Sequence, residues 1–398
     1  MRRNATLFVL ISLFSGFGGT AMTLAAGIWI LDLTGSAALA ALASFGIYAP
    51  SLAAPWLGVL VDRLPRRALL VTVDVVVGLS LLGLLTVRSP AQAPLIYLVL
   101  LVRGLAYVLL DAAETALLPA AIPASRLGDV NGWRSSAQEG MRLLAPLAGA
   151  ALYTWGGPVP IVVVCAVLPL VTAGLYGLVR LPAGRLAPAS GGAGPGRAPG
   201  GVWSEVRAGM VALWRGPART PVLVASTATA VSGMTNAAVL SRVVDGLHLP
   251  ATHLGCLASA QGAGSVIGGV LAGRLLARIA PGRLAVIGAV TFGVACVAWT
   301  LPWWPMLIGG SVLAGLGLPW TLIAALTAIQ LNTPDHLLGR VAATGNMLMF
   351  GAIAPAVLLG AALVLQGARL PLLLGAAVVF TSAVVVVGRS RISEGSLR

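Results

Sequence analysis

The sequence predicts an all-α membrane protein with twelve transmembrane helices, arranged as two six-helix parallel pseudo-repeats. Three observations support this fold class. Hydrophobic residue types make up 58% of the chain and charged types only 9%, whereas soluble domains carry about 25% charged residues. Apolar runs long enough to cross a bilayer recur along the whole chain. The second half of the chain also repeats short motifs of the first half at a nearly constant spacing.

Charged residues and turn residues divide the chain into twelve apolar runs, each long enough for a helix of about 20 residues to cross the hydrocarbon core. Two uncharged stretches are too long for one helix, and the sequences GGP at 156–158 and PWWP at 302–305 break them. Because the runs are apolar throughout, they do not fit the alternating strands of a membrane barrel. The predicted spans are 6–31, 36–60, 68–88, 94–118, 133–155, 158–180, 220–241, 252–275, 283–302, 304–329, 340–365 and 369–388.

Arginine placement predicts how these spans are oriented. The chain contains no lysine and has a net charge of +14. If the N-terminus is cytoplasmic, the outer loops hold only Arg88, Arg242 and Arg369, while the inner loops and ends hold many more arginines. Basic residues concentrate in cytoplasmic loops of membrane proteins. We therefore predict a multi-pass protein of the cell (inner or cytoplasmic) membrane with both termini cytoplasmic. No nucleic-acid partner is expected, because the arginines form no basic face on a soluble fold.

The linker in the middle of the chain predicts the domain organisation. Residues 181–201 are rich in Gly, Pro and Arg and cannot form a core. After them, Trp203, Met210, Leu213 and Trp214 fall on one helical face, which is typical of a helix lying on a membrane leaflet. The predicted parts are an N-terminal six-helix bundle at 1–180, a cytoplasmic linker with an interfacial helix at 181–219, and a C-terminal six-helix bundle at 220–398.

Internal repeats indicate that the two bundles arose by duplication. The segment GVLVDRL at 58–64 matches GVLAGRL at 269–275, and the segment around Pro123 matches that around Pro334 at the same spacing. The pair Ala-Pro at 145–146 recurs at nearly the same spacing, at 354–355. Parallel halves of this kind are related by an axis along the membrane normal and place a substrate site at their interface.

Motifs of the common enzyme classes are not found in the sequence. A phosphate-binding P-loop needs a lysine that this chain lacks, and no hydrolase elbow, zinc spacing or dinucleotide fingerprint stands out. Cys165, Cys256 and Cys296 lie singly inside apolar runs, so neither a disulfide nor a metal site is expected. We predict that the chain is not an enzyme and uses no cofactor or metal.

The loop after the second predicted span resembles the loop motif of the major facilitator superfamily: Gly, three residues, Asp-Arg, and then a basic pair. Pro65 stands where that motif usually has a second Gly. Two further stretches, at 118–131 and 330–341, look like the bacterial exporter branch that includes macrolide and siderophore efflux proteins. The residues that carry the loop motif are Gly58, Asp62, Arg63, Arg66 and Arg67.

The resemblance implies the major facilitator fold, with two halves that rock about a central site. It also implies that Asp62 clasps neighbouring helix ends while Arg63, Arg66 and Arg67 latch the cytoplasmic side. The alternative is that these arginines only set the topology, which would require no acid at position 62. In the second-half copy, Gly273 replaces this Asp, so any such clasp is asymmetric.

Ionisable residues inside predicted spans are costly and therefore mark functional sites. On the fourth span, Arg103, Asp111 and Glu114 share one helical stripe. On the fifth span, Glu139 and Arg142 share another helical stripe. The acidic residues and Arg142 are predicted to fall in the cytoplasmic half of the membrane. The membrane-depth candidates for proton coupling or substrate binding are Asp111, Glu114, Glu139, Arg103, Arg142 and Asp74.

Two interpretations of these charges remain open. A carboxyl in a semi-apolar cavity can exchange a proton with an arriving substrate, and Asp111 and Glu114 are the first candidates, followed by Glu139. Alternatively, a buried Glu139–Arg142 or Asp111–Arg142 pair holds the fourth and fifth helices together. Arg103 either binds an anionic part of the substrate or pairs with Asp111.

The sequence thus predicts a secondary transporter that exports a small hydrophobic or amphipathic compound by proton antiport. The expected partners are a small-molecule substrate, protons and the lipid bilayer, and the chain is expected to act as a monomer. The alternatives are a facilitator or importer of a small metabolite, or a non-transporting membrane scaffold or sensor on the same fold.

Overall fold

The computed structural model describes residues 2–180 and 201–395, and in these two ranges the chain is almost entirely helical, without a strand. Most of the predicted linker, residues 181–200, lies outside the described residues. The helices of the first range are α1 (Arg2–Thr34), α2 (Ala37–Tyr48), α3 (Ala54–Arg63), α4 (Arg66–Gly83), α5 (Ala93–Ala121), α6 (Ala124–Gly156) and α7 (Pro158–Leu178). Those of the second range are α8 (Gly201–Arg215), α9 (Arg219–Ser241), α10 (Leu254–Leu276), α11 (Pro281–Ala298), α12 (Trp304–Asn332), α13 (Asp335–Gly351), α14 (Ile353–Val364) and α15 (Arg369–Gly395).

Within these ranges, ten helical stretches are long and apolar enough to cross a membrane. The other two predicted spans depart from this pattern for local reasons. The second span is split into α2 and α3 by a 3₁₀ segment that contains Pro50, because proline removes a backbone donor and interrupts an α-helix. The fifth span, α6, is 33 residues long, but its first half carries charges that include Arg126, Asp129 and Arg134. Together with these two, the helices form the twelve-span architecture.

The start of α1 and the ends of α5 and α7 lie on the same face of the molecule. The Asn4 amide donates to the carbonyl of Ala121 at 3.1 Å and to that of Arg180 at 2.8 Å. Arg3 donates to the carbonyl of Leu178 at 2.7 Å. We call this side, where α1 begins, the termini face, and the opposite side the far face.

The two halves of the chain share a hydrophobic core on the far face. There, Leu240 of α9 is buried in a cluster otherwise formed by the first half, which includes Trp29 and Tyr153. Val244 and Leu254 of the second half also pack against this cluster. On the termini face, by contrast, each half has a hydrophobic cluster of its own.

The contacts along one face of α10 show where this helix separates from α6 toward the termini face. Gly255, Gly262, Gly269 and Gly273 share this face, because seven and eighteen residues are close to whole numbers of helical turns. A methyl group on Gly262 would lie 2.7 Å from the Arg142 carbonyl oxygen of α6, and one on Gly255 would be similarly close to α6. A methyl group on Gly269 or Gly273 would meet nothing within 4 Å. Along α6 and α10, the halves are therefore in contact near the far face and apart near the termini face.

Helix α8 packs between the halves at the termini face. A methyl group on its Gly209 would lie 2.6 Å from the Arg340 carbonyl oxygen of α13. Trp203 contacts Trp56 of α3 edge to face, with ring centroids 5.3 Å apart. Leu213 is buried, while Trp214 is half exposed. The placement of this helix on a membrane leaflet stays a prediction.

Candidate functional site

Asp111 and Glu114 lie on the part of α5 nearer the termini face, and Glu139 and Arg142 lie near the middle of α6. Asp111 and Arg142 are exposed, and the Tyr107 side chain is 64% exposed. Arg142 lies close enough to the hydroxyls of Tyr48 and Tyr107 to interact with them electrostatically, and Asp111 is similarly close to the Tyr107 hydroxyl. These groups therefore lie around one space, on the side where the two halves are apart.

Glu114 and Arg134 form an ion pair that joins α5 to α6. One carboxylate oxygen of Glu114 lies 2.8 Å from the Arg134 guanidinium, and the two side chains are only 12% and 15% exposed. Arg134 also donates to the Ser12 hydroxyl of α1 at 3.1 Å. The Tyr176 phenol of α7 lies beside Glu114. The pair thus ties four helices of the first half together.

One oxygen of Glu114 and the whole carboxylate of Asp111 remain outside this pairing. The Oε1 atom of Glu114 is buried, and no described residue forms a hydrogen bond with it. Asp111 forms no ion pair with a described residue, although the charge of Arg134 acts on Asp111 and Glu114 alike. Two carboxylates therefore share one guanidinium, which leaves one negative charge that a proton or a cationic group could neutralise.

Arg142 pairs with Glu139 on its own helix, at 2.8 Å. The Glu139–Arg142 pair therefore forms, but neither it nor an Asp111–Arg142 pair holds the fourth and fifth spans together, as that alternative required. The Arg142 and Glu139 side chains are 60% and 36% exposed, and residues three apart on one helix cannot join two helices. No ion pair connects Arg142 to Asp111 among the described residues. Arg134, which sequence analysis overlooked, makes the link between α5 and α6 instead.

Arg103 reaches across to α1 rather than toward Asp111. A methyl group on Gly19 would lie 3.3 Å from the Arg103 guanidinium, and Cys165 of α7 is also close to it. No carboxylate of the described residues lies within ion-pair distance of Arg103. Of the two roles expected for Arg103, pairing with Asp111 is therefore not seen. This places a positive charge without a carboxylate partner near the middle of α5.

Asp74 lies in the interior of the first half, away from the open space. Its side chain is 3% exposed and accepts a hydrogen bond of 2.6 Å from the Thr172 hydroxyl of α7. Its charge acts on Tyr176, which also lies beside Glu114. Tyr176 therefore connects the surroundings of Asp74 with those of the Glu114–Arg134 pair.

The loop that carries the family-like motif lies between α3 and α4 on the termini face. Arg67 donates a short hydrogen bond to the carbonyl of Gly177, which ties this loop to the end of α7. Pro65 has φ −66°, a value natural to proline, so this turn has no need of a glycine there. Gly58 has nothing within 4 Å of a Cβ position. The side chains of Asp62 and Arg63 lie outside the described part of the structure, so the clasp stays a prediction.

Sequence reasoning missed Arg134, Ser12 and Tyr176 as members of the charge cluster. Arg134 lies at the start of the predicted fifth span, where it reads as part of an inner loop. The signal that could have found it is the need of Glu114 for a cation at that depth, since buried charges are paired. Among residues 2–180 and 201–395, no three His, Cys, Asp or Glu side chains come together in a way that could hold a metal ion.

Comparison with protein families gives a match to the Major Facilitator Superfamily over residues 7–241 and again over residues 222–396. A comparison with curated proteins gave no match.

Three similar solved structures cover nearly the whole chain. The nucleoside transporter NupG has a TM-score of 0.75 at 13% identity, covering 97% of this chain and 99% of that one. A bacterial homologue of the iron transporter ferroportin in an inward-facing state has a TM-score of 0.71 at 17% identity, covering 98% of each chain. A bacterial homologue of the human lysosomal transporter Spinster, inward-facing and unoccupied, has a TM-score of 0.64 at 14% identity, covering 97% of this chain and 98% of that one. At these identities the likeness shows the fold.

Proposed function

This chain belongs to the Major Facilitator Superfamily, and we propose that it exports a small hydrophobic or amphipathic compound by proton antiport. Family membership indicates a transporter rather than an enzyme. The observation that carries the antiport proposal is the unequal sharing of charge between Asp111, Glu114 and Arg134 beside the open space between the halves. A pump of this kind needs one carboxylate that can exchange a proton for substrate.

The proposed mechanism uses the arginine as a shared counter-charge. In the structure Arg134 pairs with Glu114, so Asp111 is the carboxylate left to hold a proton or to meet the substrate. A substrate that enters the open space and contacts Asp111 would displace the proton. Rocking of the two halves would then open the far face, where a new proton could enter. The exposed Glu139–Arg142 pair carries no net charge, so it does not change the excess of one negative charge on Asp111, Glu114 and Arg134.

An amphipathic substrate fits the groups around the open space better than a sugar does. Tyr48 and Tyr107 offer aromatic surface next to hydroxyls, and Arg103 offers a positive charge deeper along α5. Sugar sites need many convergent polar groups, whereas drug-like ligands bind to mostly apolar walls with a few placed polar groups. Arg103 would then receive an anionic or acceptor group of the substrate.

The direction of transport follows from the proposed orientation. If the termini face is cytoplasmic, as the arginine distribution favours, the structure is open to the cytoplasm and can collect a compound for export. We propose that the protein works as a monomer in the cell membrane with both ends in the cytoplasm. The alternative is an importer or facilitator of an anionic metabolite, which the lack of a carboxylate partner for Arg103 would suit.

Everted membrane vesicles test this proposal. They would be energised and then given lipophilic cations, macrolides and siderophores while a pH-sensitive dye reports the proton gradient. A substrate should release protons from vesicles with the wild-type chain, and Asp111→Asn should abolish this release. Glu114→Gln should weaken it, because Arg134 would then pair with Asp111.

The matched control is Asp245→Asn, which removes one exposed acid from the far face and should behave as wild type. Proton release that persists unchanged in Asp111→Asn and Glu114→Gln would overturn the assignment of the coupling groups. Uptake of substrate with no proton movement would favour the facilitator.

A further inference from the structure

A second charged site lies on the far face, on the opposite side of the molecule from the charge cluster of α5 and α6. It is a surface pocket of about 550 Å³ between the end of α9 and the start of α15. Arg242 and Arg369 line it, together with Gln366, the backbone of Gly367, and Leu373. Nothing in the proposed transport mechanism uses these residues.

Arg242 is held in this pocket by packing and by one hydrogen bond. Arg242 is only 8% exposed. It begins the π-helical turn Arg242–Gly246, which follows α9. One terminal nitrogen donates to the Thr300 carbonyl at 2.8 Å, and another would lie 3.4 Å from a methyl group on Gly246. The Nε atom is buried and bonds to no group of the described residues, so the terminal nitrogens of Arg242 are the ones that can meet a group in the pocket.

The two arginines of the pocket are not paired with an acidic side chain of the described residues. The positive charge of Arg369 lies close enough to Arg242 to repel its guanidinium group. Neither arginine lies within ion-pair distance of a carboxylate in the described ranges. The acid closest along the chain, Asp245, instead accepts a hydrogen bond of 2.7 Å from the Ser241 hydroxyl.

The backbone adds to this positive potential. Helix α15 is 27 residues long and begins at Arg369, so the positive end of its dipole is at the pocket. Gly367 precedes it with φ +120°, a conformation that side chains disfavour, and this lets the loop turn into the helix at that point. Two guanidinium groups at a helix N-terminus form the arrangement in which proteins bind phosphate.

We propose that this pocket binds a phosphate group, supplied either by a free phosphate ion or by the headgroup of a membrane lipid. A terminal N–H of Arg242 would donate to one phosphate oxygen and Arg369 to another, while Gln366 and the start of α15 complete the site. Leu373 at the edge of the pocket is 52% exposed and would meet the glycerol and acyl part of a lipid.

The purified full-length protein in a neutral detergent allows a direct test. Its melting temperature would be measured with inorganic phosphate and, at matched ionic strength, with chloride. The phospholipid that co-purifies with it would be identified by native mass spectrometry after reconstitution with phosphatidylglycerol or phosphatidylcholine. The variants are Arg369→Gln and Arg242→Lys, the second of which keeps the charge but removes the guanidinium group. Arg88→Gln, an exposed arginine on the same face, is the matched control.

Two results would support the site and separate its sources. Stabilisation by phosphate but not by chloride indicates a free ion, and retention of phosphatidylglycerol without that stabilisation indicates a lipid headgroup. In either case Arg369→Gln should weaken binding about tenfold or more, and Arg88→Gln should leave it unchanged. Equal behaviour of wild type, Arg369→Gln and Arg88→Gln, or no phosphate effect and no retained lipid, would overturn the proposal.

Discussion

Replacing Arg134 should destabilise the protein more than replacing its partner Glu114. The two side chains are 15% and 12% exposed, so their pair lies between exposed pairs, worth about 0–1 kcal/mol, and buried pairs, whose disruption costs about 3–5 kcal/mol. In Arg134→Gln, Glu114 and Asp111 face each other without a cation, and the hydrogen bond to Ser12 weakens. We expect a loss of about 3 kcal/mol.

Glu114→Gln leaves Arg134 with other partners. It still donates to Ser12 at 3.1 Å and to the Asn131 side chain at 3.4 Å, and Asp111 can take over as its counter-charge. We therefore expect a loss of only about 1 kcal/mol. For a chain of this length, each kcal/mol corresponds to a change in melting temperature of about 1 °C, so the two variants should differ by about 2 °C.

Thermal unfolding in detergent measures this difference, with Arg126→Gln as a control that removes an exposed arginine from the same helix. The double variant should be less destabilised than the sum of the single variants by about 1–2 kcal/mol, because the two side chains are in contact. Equal losses for the two single variants, or strict additivity in the double variant, would refute the assignment of Arg134 as the shared counter-charge.

Two further predictions follow from buried contacts of the structure. Asp74→Asn keeps an acceptor for the Thr172 hydroxyl, so it should retain most folded protein in size-exclusion chromatography, whereas Asp74→Ala leaves that hydroxyl with the Pro169 carbonyl alone and should lose about 1 kcal/mol. Gly262→Val places a methyl group 2.7 Å from a backbone oxygen of α6 and should lower the yield of folded protein. A Cβ at position 269 meets nothing within 4 Å, so Gly269→Val should fold normally, yet it should slow transport if α10 closes onto α6 along the same face. Normal transport in Gly269→Val would contradict that closure, and unchanged stability in Gly262→Val or Asp74→Ala would contradict the packing argument.

The fold could be predicted from the sequence because each span satisfies a local requirement of the bilayer. A helix of about 20 apolar residues is the simplest way to satisfy every backbone group in lipid, so hydropathy alone locates most of them. The interruption at Pro50 was less visible, because the second span stays apolar across it. The charged start of α6 was assigned to a loop for the opposite reason, since a helix that protrudes from the membrane does not have to be apolar.

The candidate site was predicted less completely, because its pairing depends on helix rotation and on the distance between helices. Helical periodicity placed Asp111 and Glu114 on one stripe of α5. Which of them meets an arginine depends on how α6 is rotated against α5. Whether that arginine is Arg134 or Arg142 depends on the position of α6 along its axis, because these two residues lie about 12 Å apart in that direction. A rotation of one residue is 100°, which local sequence patterns do not determine.

The two halves have kept the same fold while their charges diverged. In the described second half, most buried hydroxyls bond to backbone carbonyls instead of to charged groups; Thr229, for example, donates to the carbonyl of Met349 of α13 at 2.6 Å, while the Ser259 hydroxyl has no partner among the described residues. The ion pairs at membrane depth belong to the first half, on α5 and α6. Under the proposed antiport, a proton that binds there would change the electrostatic energy of one half only, and the other half would follow through the interface at which α6 packs on α10. Coupling in this protein would therefore depend on Gly255 and Gly262, whose close approach to α6 transmits the movement, as much as on the carboxylates that bind the proton.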